Sequence, residues 1–266
     1  MGRAFEDAVV AVTGGGRGIG RAIAERFAQE GAKVMIGART LSYGQEAQAA
    51  IEAAGGVAQL LENDIATAEG CNALVQRTVE AFGGLDILVH SAADIPDGGL
   101  NASDEAIQRG FDSIVMAGFW LTRAARPHLG RSGQGGRLVF ITSIAGTKTV
   151  VPGRVAYGVC KAGLESFIRG AALELAGERI TVNGVAPGLV ASARPLAAMG
   201  QAALDAIGAK SPAGRPGTPD EIANAVLFLA APGSSFITGH SVVIDGGATL
   251  ATSDPSRLLV DHMAQR

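Results

Sequence analysis

The stretch AVVAVTGGGRGIGRAIAERFAQEGAKVMIGAR, residues 8–39, decides the fold of this 266-residue chain. It opens with an apolar run whose length and β-branched content are typical of a buried parallel strand. A cluster of glycines follows, and then Ile19, Ile23 and Phe27 fall on one face of a predicted helix. Gly31 ends that helix before a second apolar strand begins. The pattern therefore predicts a strand, a tight turn and a helix whose free N-terminal N–H groups suit a phosphate.

The composition fits one globular α/β domain and excludes several classes of protein. With 47% hydrophobic residues the chain can bury a sizeable core, and a formal net charge of −3 gives no basic surface for nucleic acid. No apolar run reaches the ~18 residues that a membrane span needs, so no membrane partner is expected. The acidic N-terminus leads directly into the first strand, which predicts a cytoplasmic protein without a signal peptide. Cys71 and Cys160 have no metal-like or redox spacing, so we expect buried, reduced thiols and no metal site.

Short apolar strands alternate with helical patterns along the whole chain, which predicts a parallel sheet covered by helices on both faces. Further strands are predicted at 57–61, 86–89, 137–142, 180–185 and 241–245, and helices at 42–54, 67–82, 103–128, 155–176, 201–207 and 220–231. We find no repeat and no linker. Residues 1–266 are therefore expected to form a single doubly wound domain of about seven strands, followed from residue 253 to 266 by a mobile tail.

Two further motifs carry chemistry. Tyr157-Gly-Val-Cys-Lys161 is a Y-x-x-x-K sequence on a predicted helix, so the phenol and the ammonium project from one face, one turn apart. Upstream, Ser143 follows the apolar strand in the sequence FITSIAG. In this order, and with the T-G-x-x-x-G-x-G turn of residues 13–20, the motifs resemble those of the short-chain dehydrogenase/reductase family.

The resemblance spans residues 9–247, including the sequences NGVAPG at 183–188 and DGG at 245–247. It implies a Rossmann domain that uses a nicotinamide dinucleotide to interconvert an alcohol and a ketone or aldehyde. The small-molecule substrate would meet a variable loop at 189–210. The resemblance also implies a homotetramer, in which the two long helices pair across one axis and the last helix and strand across another.

The resemblance assigns three catalytic residues. Hydride transfer to a carbonyl builds negative charge on its oxygen, and Tyr157 would act as the general acid/base that supplies the proton. A free tyrosine has a pKa near ~10, which the Lys161 ammonium and a cationic nicotinamide would lower. Lys161 would also bind the nicotinamide ribose, and Ser143 would orient the substrate oxygen.

The remaining site residues follow from the same resemblance. Pro187 and Gly188 resemble the turn beneath the nicotinamide, and Asp64 matches an adenine contact, with a plain turn aspartate as an equal alternative. The expected cofactor contacts are Gly14, Gly16, Arg17, Gly18, Ile19, Gly20, Arg39, Asp64, Ile65, Ser91, Ala92, Tyr157, Lys161, Pro187, Gly188, Val190 and Ser192. The expected substrate contacts are Asp94, Ser143, Tyr157 and Met199.

The residues after the second strand favour NADP(H) over NAD(H). An enzyme of this fold that uses NAD(H) normally has an acidic residue there for the adenosine ribose, but the aligned residue is Ala38. Arg39 follows at once, and Arg17 lies in the glycine turn, so two cations are available for a 2′-phosphate. The alternative is that both arginines are solvated surface residues and that NAD(H) is the cofactor.

Two departures from the family pattern affect the expected relay of protons. His90-Ser-Ala-Ala93 replaces the usual N-N-A-G, and His90 is either pH-sensitive or a satisfied structural residue. Ile114 stands where the family usually has its catalytic asparagine, and its side chain has no donor or acceptor. We expect the backbone carbonyl of Ile114 and the hydroxyl of Ser113 to provide a rewired relay. A low-turnover dinucleotide-binding sensor or scaffold is the alternative from a different functional class.

Overall fold

A parallel sheet of seven strands runs through the centre of the computed structural model, which describes residues 3–251. The strands are β1 (Val9–Thr13), β2 (Lys33–Ala38), β3 (Val57–Glu62), β4 (Ile87–His90), β5 (Arg137–Ile141), β6 (Thr181–Pro187) and β7 (Ser241–Ile244). They lie in the order β3-β2-β1-β4-β5-β6-β7. Every residue of β1, β4, β5 and β6 is buried, as expected for strands covered on both faces. The predicted doubly wound fold is confirmed.

Helices cover both faces of the sheet. They are α1 (Gly18–Gln29), α2 (Leu41–Ala53), α3 (Ala68–Phe82), α4 (Asp104–Phe111), α5 (Ala117–Leu129), α6 (Ile144–Thr147), α7 (Val155–Leu175), α8 (Ala193–Gly208), α9 (Pro219–Ala230) and α10 (Ala248–Ala251). On one face α1 packs against α9, and on the other α3 packs against α5. Each face has its own apolar core, which leaves the carboxyl edge of the sheet free for a site.

The strand order reverses at β1, which has β2 on one side and β4 on the other. In the register of the second pair, Thr13 lies opposite His90, so the two strands end together. The connection after β1 and the connection after β4 lead to opposite faces of the sheet, which opens a crevice at its carboxyl edge. The glycine turn after β1 therefore lies at the mouth of this crevice.

The predicted helix at 103–128 is divided by a wide turn. Residues Asp112–Met116 form a π-helical turn between α4 and α5, and the N–H of Ala117 bonds to the carbonyl of Asp112. Inside this turn, Ser113 accepts a hydrogen bond from the N–H of Asp94 at 2.9 Å, which ties the turn to the loop after β4. Ile114 is fully buried in the apolar core on the α3–α5 face. The wide turn therefore forms with an isoleucine at the position of the expected asparagine.

The region at 189–210 is more helical than predicted. The expected short helix at 201–207 is part of α8, whose backbone breaks at Gly200 with a φ of 77°. None of the helices within residues 3–251 combines the length and apolarity needed to cross a bilayer. The tail expected at 253–266 lies outside the described residues, and the division into one domain with a substrate loop stays a prediction.

Candidate active site

A cavity of about 350 Å³ opens at the carboxyl edge of the sheet, at the reversal of strand order. All but one of the predicted site residues line it. These are Gly14, Gly16, Arg17, Gly18, Ile19, Gly20, Arg39, Asp64, Ile65, Ser91, Ala92, Asp94, Ser143, Tyr157, Lys161, Pro187, Gly188, Val190 and Ser192. The exception is Met199, a partly exposed residue on α8 that is not part of the cavity wall.

The glycine turn forms a cradle for a diphosphate. Helix α1 begins at Gly18, and its N-cap residue Arg17 makes no side-chain cap, so the first N–H groups lack a side-chain acceptor. Gly14 adopts a φ of +66°, which a residue with a side chain rarely takes. A Cβ atom on Gly20 would lie 2.2 Å from the carbonyl oxygen of Gly14. The uncapped N–H groups and the close packing fit the diphosphate of a dinucleotide.

Four charged residues form a chain beside the cavity, where β2, β3 and β4 end. Nη1 of Arg39 lies 2.8 Å from both carboxylate oxygens of Asp94. Nε of Arg109 lies 2.9 Å from the same carboxylate, and its Nη2 lies 2.9 Å from Asp64. Burial raises the pKa of Asp64, but the N–H of Ala66 and the Arg109 guanidinium outweigh it and hold that pKa below its usual value. We call Arg39, Asp94, Arg109 and Asp64 the charge chain.

Two residues of the charge chain, Arg39 and Asp94, are predicted contacts of cofactor and substrate, and they pair with each other. The carboxylate of Asp94, a residue expected to contact substrate, is held by the guanidinium groups of Arg39 and Arg109. Arg39 follows β2 and Asp94 follows β4, and β1 lies between these two strands. Their ion pair therefore passes over the end of β1, since β2 and β4 are roughly 10 Å apart. Arg17 is also held in place, with its guanidinium 5.3 Å from the ring centre of Tyr43. Sequence reasoning missed Arg109 and Tyr43, because neither lies in a recognised motif.

The three catalytic candidates meet at the other end of the cavity. Ser143 is the N-cap of α6 and accepts the N–H of Ala145 at 3.1 Å. Lys161 is almost fully buried, and its ammonium donates to the carbonyl of Ile141 at 2.7 Å. The same ammonium lies 5.7 Å from the ring centre of Tyr157. A hydroxyl, a phenol and an ammonium therefore share one wall of the cavity.

Burial shifts the pKa values of two groups on this wall. Burial raises the pKa of the Tyr157 phenol, although a hydrogen bond from Ser143 and the charges of Arg194 and Arg154 oppose it. Desolvation outweighs these nearby charges, and the lowering of this pKa by Lys161 together with a cationic nicotinamide stays a prediction. Burial also lowers the pKa of Lys161, to about 8. The ammonium remains mostly charged at neutral pH, and the phenol is a proton donor.

The last wall of the cavity comes from the end of β6 and the start of α8. Pro187 ends β6, Val190 forms an isolated bridge to Gly217, and Ser192 is the N-cap of α8. Arg194, on the first turn of α8, also lines the cavity. Arg194 is not among the expected contacts, because it lies in the variable loop at 189–210 and in no recognised motif.

Comparison with known proteins identifies the architecture around this cavity. The family model described as Enoyl-(Acyl carrier protein) reductase matches residues 14–249. An uncharacterized oxidoreductase of Mycobacterium tuberculosis is 38% identical over 252 residues, which cover 94% of this chain and 95% of that protein. This chain belongs to the short-chain dehydrogenase/reductase family.

Solved members of the short-chain dehydrogenase/reductase family have the same architecture. A short-chain dehydrogenase from Burkholderia cenocepacia J2315, in complex with NADP, has a TM-score of 0.85 and 35% identity, covering 92% of this chain and 99% of that one. A 7α-hydroxysteroid dehydrogenase complexed with NADH and 7-oxo glycochenodeoxycholic acid has a TM-score of 0.86 and 28% identity, covering 92% and 96%. The chain is therefore an oxidoreductase of a family that uses nicotinamide dinucleotides.

Within this dehydrogenase/reductase, residues 3–251 contain no group of three or more His, Cys, Asp or Glu side chains placed to share a metal ion. Cys71 and Cys160 are both buried and unpaired. Burial raises the pKa of Cys71 to about 12 and also raises that of Cys160, so both thiols stay protonated at neutral pH. Ser143, Tyr157 and Lys161 line the cavity, whereas neither thiol does.

Proposed function

We propose that the protein is an NADP(H)-dependent oxidoreductase that interconverts an alcohol and a ketone or aldehyde. The observation that carries this proposal is the convergence of Ser143, Tyr157 and Lys161 on one end of a cavity whose other end is the glycine turn. A dinucleotide held by its diphosphate at the turn would extend towards these three residues. The bound cofactor supplies or accepts the hydride.

Each of the three side chains has a distinct role in this proposal. Tyr157 donates its proton to the carbonyl oxygen in reduction and accepts one in oxidation. Ser143 holds the same oxygen through its hydroxyl, because a second hydrogen bond stabilises the charge that develops there. One N–H of Lys161 is fixed by the carbonyl of Ile141, which leaves two N–H groups for the ribose hydroxyls.

The adenosine side supports a preference for NADP(H). Ala38 ends β2 and offers no acceptor to a ribose hydroxyl, whereas Arg39 and Arg17 both line the cavity. A guanidinium binds a phosphate through charge-assisted hydrogen bonds that NAD(H) cannot make. The NADP complex of the Burkholderia relative agrees with this preference. NAD(H) is the alternative, and the NADH complex of the hydroxysteroid dehydrogenase is the observation that favours it.

We infer further that the protein is a cytoplasmic homotetramer. Phe119 on α5 and Val159 and Leu173 on α7 are exposed. These two helices are the ones expected to pair across the first axis of the tetramer. Phe228 on α9 and Phe236 before β7 are exposed near the second expected axis. Apolar side chains in these positions suit contacts between subunits. Unpaired, buried cysteines agree with a reducing compartment.

The proposal is tested by following the nicotinamide absorbance with NADPH and a panel of ketones and aldehydes, cyclic and steroidal ketones included. Turnover should require Tyr157, so Tyr157→Phe should abolish it, and Ser143→Ala should reduce it strongly. Ser132→Ala is the matched control, because Ser132 is a buried serine outside the cavity. Full turnover by Tyr157→Phe would contradict the assignment. Tight NADPH binding without turnover of any compound would favour the sensor instead.

A further inference from the structure

Arg194 is a charged residue of the cavity wall to which the proposed reaction gives no role. It lies in the first turn of α8, and 42% of its side chain is exposed. Within residues 3–251 its guanidinium makes no hydrogen bond, and the one carboxylate that approaches to 4.0 Å is that of Asp97. A guanidinium has five N–H donors. Those of Arg194 are therefore available to a ligand in the cavity.

The carboxylate of Asp97 is engaged mainly by a second arginine. Nη1 of Arg154 lies 2.5 Å from Oδ1 of Asp97. Nη2 of Arg194 lies 4.0 Å from Oδ2 of the same carboxylate, which is too far for a hydrogen bond. We call Arg154, Asp97 and Arg194 the arginine cluster. It combines two guanidinium groups with one carboxylate, so one positive charge, that of Arg194, remains uncompensated.

The arginine cluster lies at the catalytic end of the cavity. Arg154 is the N-cap of α7, three residues before Tyr157. Through Asp97, the start of this helix and the start of α8 come together. Arg194 lines the same cavity as Tyr157. The charges of Arg194 and Arg154 both oppose the raised pKa of the Tyr157 phenol, as expected for cations close to it.

The cofactor offers no anion to Arg194 in the binding mode proposed above. The diphosphate fits the N–H groups of the glycine turn, and the 2′-phosphate fits the guanidinium groups of Arg17 and Arg39. Beyond its diphosphate, the nicotinamide end of the cofactor carries no negative charge. Burial lowers the pKa of Arg194, although the charge of Asp97 opposes this. The guanidinium is thus partly stripped of water and would gain from a counterion that another ligand supplies.

We propose that Arg194 binds a carboxylate of the substrate, so that the protein interconverts an oxo acid and the corresponding hydroxy acid. The reduction of the carbonyl rests on the proposed function, whereas the anion site does not. The planar guanidinium matches the two oxygens of a carboxylate. One uncompensated positive charge suits one negative charge, and Asp97 repels a phosphate dianion more strongly than a carboxylate. The carbonyl oxygen then lies at Ser143 and Tyr157, and the carboxylate lies at the start of α8.

Matched pairs of substrates test this assignment. Oxo acids with one to four carbon atoms between the carbonyl and the carboxylate are compared with their methyl esters, with NADPH as reductant. For the acid of suitable length, the wild type should have a kcat/KM at least about tenfold above that for the ester. Arg194→Gln should remove this preference and leave kcat/KM for the ester within about threefold. Arg194→Lys keeps the charge but not the fork, so it should fall between the two.

Two further variants separate the local charge from a general effect. Arg131→Gln is the matched control, because Arg131 is an exposed arginine outside the cavity, and its acid-to-ester ratio should equal that of the wild type. Asp97→Asn removes the carboxylate that competes for Arg194, so it should raise the ratio by up to about fivefold. A lower ratio in Asp97→Asn would overturn the proposal, since loss of a negative charge must favour an anion bound beside it.

Binding without turnover provides an independent test. Calorimetric titration of the complex with NADP⁺ compares a carboxylic acid that lacks the carbonyl with its amide. The wild type should bind the acid at least about tenfold more tightly, and Arg194→Gln should bind both alike. Equal binding of acid and amide by the wild type would overturn the proposal. If no compound is turned over, the proposed function is contradicted, but this titration still decides the anion site.

Two other results would also overturn the proposal. Arg194→Gln could weaken the binding of NADPH and NADH and leave the acid-to-ester ratio unchanged, which would make Arg194 a contact of the cofactor. A phosphate ester of a hydroxy ketone could be preferred over every oxo acid, which would replace the carboxylate by a phosphate. Dissociation constants for both cofactors and a phosphorylated ketone among the substrates are therefore part of the same experiment.

Discussion

Replacement of Arg39 by alanine tests the cofactor preference most directly. Its guanidinium lies at the cavity wall, and Nη1 is held 2.8 Å from both carboxylate oxygens of Asp94. NADP(H) differs from NAD(H) only in the 2′-phosphate, so a residue that binds this phosphate should affect one cofactor alone. Arg39→Ala should therefore weaken NADP(H) and leave the affinity for NAD(H) unchanged.

The charge chain sets the size of this effect. A hydrogen bond to a charged group contributes about 1.5–3 kcal/mol, which corresponds to roughly ten- to a hundredfold in affinity. Arg39 is half-exposed and must share its charge with Asp94, and an ion pair so exposed contributes at most about 1 kcal/mol. The ion pair with Asp94 opposes transfer of the guanidinium to the phosphate. We therefore expect Arg39→Ala to lower the affinity for NADP(H) by about tenfold, the lower limit of this range.

Asp94→Asn tests the competition itself. The amide removes the charge that holds Arg39 but keeps nearly the same shape, so NADP(H) should bind up to about fivefold more tightly, ~1 kcal/mol. Asp94 also repels the phosphate, and its removal acts in the same direction. Both effects should diminish in high salt, since these groups are partly solvated.

Titration of nicotinamide fluorescence with NADPH and NADH measures the dissociation constants of the wild type and of both variants. Arg77→Ala is the control, because Arg77 is an exposed arginine of α3 that pairs with Glu80 outside the cavity. If Arg39→Ala lowered the affinities for NADPH and NADH equally, the assignment of Arg39 to the phosphate site would be refuted. Weaker binding of NADPH by Asp94→Asn would refute the competition and show instead that Asp94 orients Arg39.

Four further predictions follow from the same structure. Ile114→Asn should lower the melting temperature, since it buries an amide in an apolar core, yet change kcat by no more than about tenfold; a gain of several orders of magnitude would favour the sensor. In a pH series, kcat/KM for reduction should fall as the pH rises through about 8, where Lys161 loses its proton; a flat profile would contradict this. The hydrogen bond from Arg215 holds the pKa of Glu221 at about 2. The stability that this hydrogen bond adds is therefore present above the ordinary pKa of a glutamate, 4.5, and is lost as the pH falls towards 2. The melting temperatures of the wild type and of Glu221→Gln should differ at neutral pH and converge in acid. Light scattering should give a tetrameric mass that Phe236→Ser reduces, and a monomeric wild type would exclude the predicted assembly.

The fold was predictable because its signals are local. The glycine turn, the apolar strands and the periodic helices each follow from a few neighbouring residues, and Gly31 ends α1 with a φ of 92° as its position predicts. The catalytic wall was predictable for a similar reason, since Tyr157 and Lys161 are one turn apart on α7. Such features need no knowledge of distant parts of the chain.

The features that escaped prediction depend on contacts between distant segments. The tie from the N–H of Asp94 to Ser113 in the wide turn is set by tertiary structure and follows from no local pattern. The Arg39–Asp94 ion pair joins residues 55 positions apart. The burial that raises the pKa of the Tyr157 phenol likewise depends on how deeply the packed chain covers this side chain. The cofactor preference and the catalytic roles stay predictions.

The packing of α1 against α9 has a consequence for biosynthesis. Helix α1 leaves the ribosome early, but Ile23 and Phe27 on its buried face share a core with Ile222 and Val226 of α9. Until residues 219–230 have been synthesised, the nascent chain must carry this apolar face uncovered, so it is a natural target for a chaperone. A chain truncated before α9 should accordingly aggregate, even though it retains every residue of the glycine turn and the catalytic wall.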